Sequence, residues 1–210
     1  MRMLAIETAS EACSIALFEG GTLIARDHRT LGRGHAEALV PMIAALPGKG
    51  RADRILVSLG PGSFTGVRIG LATARALGFA WQAEVLGYPT LALVAAMARA
   101  EHPAQSVTVC TNGGHGEWFI ADFSANGLPL GPTVSLTPQA AAARACPLLV
   151  AGNRAAEFAA LFPGESITVL DLLPDASAVT RLGPSLFTGN LAPIYGRGPD
   201  ATPLAQQTKA

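Results

Sequence analysis

The stretch Gly60-Pro61-Gly62-Ser63-Phe64-Thr65-Gly66-Val67-Arg68-Ile69-Gly70 restricts the folds open to this chain more than any other. It separates an apolar run, Ile55-Leu56-Val57-Ser58-Leu59, from a long run of mostly small residues that ends at Trp81. The first run reads as a buried strand, and the second, from Val67, as a helix. Gly60, Pro61 and Gly62 turn the chain sharply between them. Ser63 or Thr65 is placed to cap the helix by accepting hydrogen bonds from its free N–H groups. Gly66, Gly70, Ala74 and Gly78 recur every four residues, so they form one row on one helix face. Glycine inside a helix costs about 1 kcal/mol relative to alanine. Three glycines in one row therefore imply a close contact: the expected one is a helix of an outside partner, and the alternative is packing within the same domain, against the sheet or the kinked helix. The glycine turn also resembles a phosphate cradle, since helix N-termini favour anions. No Lys follows in Walker fashion and the spacing is not GxGxxG, which leaves a plain strand–helix turn as the simpler reading.

Half of the 210 residues are hydrophobic and 14% are charged, against about 25% in ordinary soluble domains. Either the core is large or a partner covers part of the surface. The formal net charge is zero and Lys occurs only at Lys49 and Lys209. A chain that grips RNA by itself would carry a basic stripe, and none is visible. Cys13, Cys110 and Cys146 follow no disulfide or metal spacing and suit a reducing compartment. No charged-then-apolar leader and no apolar run of about 18 residues is present, so a cytoplasmic protein with no membrane contact is expected.

Short strands are expected at residues 3–6, 13–18 and 22–29, joined by loops too short for helices. Residues 34–46 follow a helical rhythm through Ala36, Leu39, Val40 and Ile43, with a kink expected from Pro41. Strands at 55–59 and 85–88 and a helix from Pro89 to Ala100 complete a first lobe, residues 1–103. In a smaller second lobe, residues 104–198, strands at 107–110 and 117–123 flank a Thr111-Asn112-Gly113-Gly114 hairpin turn. Short helices are expected at 140–145, 155–161 and 175–182, with a strand at 148–150, and residues 199–210 read as a mobile tail.

The chemistry offers few candidates. His28, His35, His102 and His115 form no metal-binding spacing, and His35 reads as a surface or capping residue. Ser63 lacks the glycines two positions before and after it that a nucleophile elbow needs. Cys13 lies within an apolar strand. Glu7, at the end of the first strand, is the acidic candidate. Glu117 is the first carboxylate after Thr111-Asn112-Gly113-Gly114 and is expected to face solvent.

GPGSFTGVRIGLATARALG, together with LAIETASEACSIALFEG, is similar to the TsaB (YeaZ) family of tRNA threonylcarbamoyladenosine synthesis. The resemblance is dense over residues 3–90, weaker over 105–123, and returns at Ala192-Pro193-Ile194-Tyr195-Gly196-Arg197. It implies an α/β, actin-like (ASKHA, ribonuclease H-like), two-lobed fold with mixed sheets. It also implies a non-catalytic scaffold that pairs with the TsaD catalyst, works with the TsaE ATPase, forms a homodimer when alone, and meets tRNA only through the complex. The pairing surface carried over from the family is Leu39, Val40, Ile43, Gly66, Arg68, Gly70, Ala74, Arg75 and Gly78. Glu7, Gly60, Gly62, Ser63 and Thr65 are the candidates for nucleotide or anion binding. No cofactor is expected on the chain alone, ATP or ADP with Mg²⁺ entering in the assembled complex. Family members commonly carry Asp where Glu7 stands and Asp-Ala-Arg where Thr111-Asn112-Gly113 stands; TsaD paralogues use a histidine pair where only His35 matches. The alternative is an independent actin-like ATPase or kinase using Glu7 and the glycine turns. A third reading, a glycopeptidase, lacks a nucleophile–base set.

Overall fold

Three strands joined by tight turns can pair only as neighbours. β1 (Arg2–Glu7), β2 (Ala12–Glu19) and β3 (Thr22–Thr30) form an antiparallel meander in the computed structural model, which describes residues 1–196. β4 (Arg54–Ser58) and β5 (Glu84–Tyr88) then add in parallel, giving the order β3-β2-β1-β4-β5. Parallel pairing needs long crossovers, supplied by α1 (His35–Ala45) and α2 (Phe64–Trp81). Both helices lie on one face of the sheet. Leu39, Met42, Ile43, Val67 and Leu71 pack there on Leu4, Ile6, Ile15, Ile55 and Val57.

α3 (Thr90–Glu101) is buried along most of its length, as its run of Leu, Ala and Val requires. It is wedged between the opposite face of the first sheet, through Ala5 and Leu56, and a second sheet, through Val107, Val109, Ala121 and Leu149. That sheet orders β6 (Val107–Gly114), β7 (Glu117–Phe123), β8 (Val134–Leu136), β9 (Leu149–Ala151) and β10 (Thr168–Leu170) as β10-β9-β6-β7-β8. Two short helices, α4 (Pro138–Ala141) and α5 (Ala155–Ala159), belong to the same half, and Phe158 of α5 fills its outer core beside Trp118. The chain then returns to the first sheet. Ala176 N donates to Ser14 Oγ at 3.0 Å, Thr188 bridges Gly87, and Ile194 N donates to Leu59 O at 2.8 Å.

Several local expectations change. The hairpin turn is not at Thr111–Gly114: β6 runs through those residues and the chain reverses at His115 and Gly116, with φ of 54° and 79°. The helix expected at 140–145 closes after Ala141, and 175–182 is a 3-10 segment, Ala176–Arg181. β8 and β10 are three residues each, too short to show a period. α1 continues unbroken past Pro41, whose ring is exposed. The tail at 199–210 lies outside the described residues. Among those described, no helix is long and apolar enough to cross a membrane.

Candidate functional site

α2 begins as its sequence dictates. Ser63 is the N-cap, and its Oγ accepts from Gly66 N at 3.1 Å. The face to which the small-residue row is turned corrects the expectation. Gly66, Gly70, Ala74 and Gly78 are all buried, and they meet this chain's own sheet rather than a partner. A Cβ on Gly66 would overlap the Thr8 carbonyl, one on Gly70 would overlap Thr8 Oγ1, and one on Gly78 would overlap Val85. Thr8 Oγ1 also donates to Gly66 O at 2.8 Å. The row lets α2 lie close against the end of β1 and against β4 and β5. Leu39 and Ile43 are core residues as well, at 0% and 3% exposure. Of the surface carried over from the family, Val40, Arg68 and Arg75 remain accessible. Both arginines are engaged by the returning chain: Arg75 Nη2 donates to Leu191 O at 3.0 Å and Arg68 Nη2 to Tyr195 Oη at 2.6 Å.

The nucleotide candidates do not converge either. Strand alternation turns Met3, Ala5 and Glu7 toward α3, while Leu4 and Ile6 face α1 and α2. Glu7 is therefore fully buried beneath the start of α3. Its Oε1 accepts from Ala9 N at 2.8 Å, whereas Oε2, Ser58 Oγ and Thr90 Oγ1 are buried without a well-formed hydrogen bond. Burial raises its pKa from the ordinary 4.5 to about 7, against smaller lowering contributions from Ala9 N–H and the nearby Ser58, Thr90 and Tyr88. A carboxyl so enclosed is poorly placed to meet hydrated Mg²⁺. Gly62 packs its backbone on Ala9, and Ser63 N donates to Ala9 O at 2.7 Å, so the glycine turn closes over the β1–β2 loop. Thr65 is exposed on the first turn of α2.

A cleft of about 160 Å³ lies between the two sheets, lined by Ser10, Glu11, Ser63, Thr90, Asn112 and Asn153 among others. It is latched from both sides. Asn153 Nδ2 donates to Glu11 Oε1 and Oε2 at 3.0 and 2.7 Å, and Asn112 N donates to Asn153 Oδ1 at 3.0 Å. Pockets that enclose small-molecule ligands hold about 300–1,000 Å³. The residues lining this cleft thus do not fit a magnesium nucleotide. His35 is a buried residue rather than a surface one, its Nε2 lying 3.2 Å from Ala12 O. Glu117 accepts from Ser135 Oγ at 2.5 Å instead of standing free in solvent. Burial pushes the Cys13 thiol up to about 11 and Cys110 up to about 12, which leaves both inert near neutrality.

On the outer surface of α1 and α2 the sequence reading included Val40 but missed Phe79 and the outward alanines. Ala36, Val40 and Ala44 on α1, and Ala72, Ala76, Phe79 and Ala80 on α2, all face outward. Phe79 is 90% exposed and Val40 54%. The signal was available: Phe79 falls on the side of α2 opposite the glycine row. These apolar side chains are carried by two adjacent helices, on which Glu37 and Arg75 are exposed as well.

An antiparallel meander continued by two parallel strands, α1 and α2 on one face, and α3 wedged against a second mixed sheet together define a two-lobed α/β protein of the actin-like (ASKHA) class. EutJ from Carboxydothermus hydrogenoformans shares that fold, with a TM-score of 0.50 at 10% identity over 87% of this chain and 90% of that one. YeaZ from Pseudomonas aeruginosa superimposes with a TM-score of 0.77 at 28% identity, covering 92% of this chain and 99% of that chain. Residues 29–142 match the family model described as TsaD: tRNA N6-adenosine threonylcarbamoyltransferase. The tRNA threonylcarbamoyladenosine biosynthesis protein TsaB of Escherichia coli is 35% identical over 128 residues, 59% of this chain and 55% of that protein. An uncharacterized protein of Mycobacterium tuberculosis is 32% identical over 97% of this chain and 95% of its own length. The match spans about half the length of the E. coli relative. The chain belongs to this family and, within it, to the TsaB (YeaZ) group.

Proposed function

We propose that this chain is a non-catalytic partner subunit in the transfer of threonylcarbamoyl to tRNA adenosine, docking on the TsaD catalyst through the outer face of α1 and α2. The observation that carries the reading is Phe79, a bare aromatic ring amid exposed alanines on α2. Exposed apolar patches of this kind mark interfaces. The glycine row does not contribute to the contact except by holding α2 in place. The family name supports the pathway, and the buried Glu7 carboxyl weighs against the alternative of an independent ATPase. In this reading nucleotide and Mg²⁺ belong to the assembled complex with TsaD and the TsaE ATPase, tRNA is held there too, and without TsaD two copies pair through the same helices.

The test is co-purification with TsaD from the same cell, followed by titration calorimetry and a tRNA modification assay with and without this chain. Phe79→Asp should weaken pairing by about tenfold or more, as hot-spot aromatics do, while the thermal transition of the isolated chain stays in place. Pairing that is indifferent to Phe79→Asp and to Ala76→Arg would sink the proposal.

A further inference from the structure

The outward side of α2 is one stripe. Phe64, Arg68, Ala72, Arg75 and Phe79 follow at steps of four, four, three and four residues, so they share one face from the first turn of the helix to the last. α2 contains no Asp, Glu or Lys, so Arg68 and Arg75 are its only charged side chains. They stand seven residues apart, which is two helical turns or about 10 Å along the axis. α1 adds a single charged side chain to this side of the molecule, the exposed Glu37.

Both arginines are held in place by neutral groups. Arg68 Nη1 donates to Phe64 O at 2.9 Å and Nη2 to Tyr195 Oη at 2.6 Å, and its guanidinium carbon lies 3.2 Å from the Phe64 ring centroid. Arg75 Nη2 donates to Leu191 O at 3.0 Å. Among the described residues neither forms an ion pair with an Asp or Glu, whereas Arg26, Arg29, Arg54, Arg144 and Arg154 each pair with a carboxylate. A guanidinium has five N–H donors, so each retains capacity for a carboxylate. An arginine fixed before its partner arrives also loses little rotamer freedom on binding.

We infer that Arg68 and Arg75 select the occupant of this face: it docks a partner helix that carries two carboxylates about two turns apart, in preference to a second copy of this chain. The inference rests on the pairing through α1 and α2 proposed above. Guanidinium and carboxylate match as a two-pronged fork, which gives such a helix both attraction and register. A second copy brings no carboxylate on α2. Antiparallel pairing of α2 on α2 about Ala72 would also set Arg75 of one copy beside Arg68 of the other. Like charges so placed oppose association.

Titration calorimetry of the full chain with TsaD from the same cell, and sedimentation of the chain alone, test it on the parent and on the double variant Arg68→Gln with Arg75→Gln. Glutamine keeps an N–H donor for the neutral oxygens and drops the charge. Parent pairing with TsaD should weaken as NaCl rises from about 0.05 to about 0.5 M, a readout that needs no substitution. At the low end the double variant should pair about tenfold more weakly than the parent, and its pairing should hardly respond to salt. Its self-association should be as tight as the parent's or tighter, and its thermal transition should stay in place. TsaD pairing that is lost with Phe79→Asp yet indifferent to salt or to the glutamine pair would overturn the inference and leave the docking proposal standing. Self-association weakened in step with TsaD pairing would overturn it too, since a mere packing role weakens both. No pairing with TsaD at any salt would remove the inference and the docking proposal together.

Discussion

Replacing Glu7 by Gln converts a buried titratable group into a neutral one of nearly the same shape. In the unfolded chain the carboxyl releases its proton near 4.5; in the fold, burial delays release until about 7. Below 4.5 both states hold the proton and the group adds no pH dependence. Between 4.5 and about 7 the unfolded chain has lost the proton while the folded chain keeps it, so stability falls as pH rises. Above about 7 both states are charged and the loss levels off. At about 1.4 kcal/mol per pH unit, the full loss is about 3 kcal/mol. The neutral Gln amide can also donate to Ser58 Oγ or Thr90 Oγ1, both of which are buried without a well-formed hydrogen bond. Glu7→Gln should therefore match the parent within about 1 kcal/mol at pH 4.5 and exceed it by about 3 kcal/mol at pH 8. For a chain of this length that is a rise in Tm of roughly 6–12 °C. Urea unfolding across pH 4.5–8, followed by the fluorescence of buried Trp118, measures both proteins, and groups common to the two cancel in the difference. A difference that stays flat across this range would refute the account of Glu7 as a carboxyl kept neutral by burial.

Other consequences follow from the packing of α2. Gly70→Leu forces a side chain into Thr8 and Val57 and should cost about 3 kcal/mol or more, seen as loss or a large downshift of the cooperative thermal transition; an unshifted transition would return the glycine row to the surface. Ser63→Ala removes the only side-chain cap of α2 and should cost about 1 kcal/mol, read as a Tm lower by roughly 2–4 °C, whereas Thr65→Ala, at an exposed first-turn position, should leave Tm unchanged.

Much of the first lobe was legible before any coordinates. Tight turns permit only a meander, a serine after a glycine turn starts α2, and Pro89 opens the next helix, α3. The row Gly66-Gly70-Ala74-Gly78 announced a close approach, but periodicity says only which residues share a face, not what lies opposite. The answer depended on Thr8, more than fifty residues earlier, being carried by β1 beneath α2. Glu7 shows the same division: its place at a strand end was plain, whereas its enclosure required α3 to be laid over it. Tyr195 meets Arg68 only because the chain's last described segment returns to the first sheet. Sequence by itself determined the local elements and their apolar faces, since these depend on neighbours three or four residues away. Tertiary structure decided which faces are spent inside the molecule and which stay open, because that is settled by contacts between segments far apart in the chain.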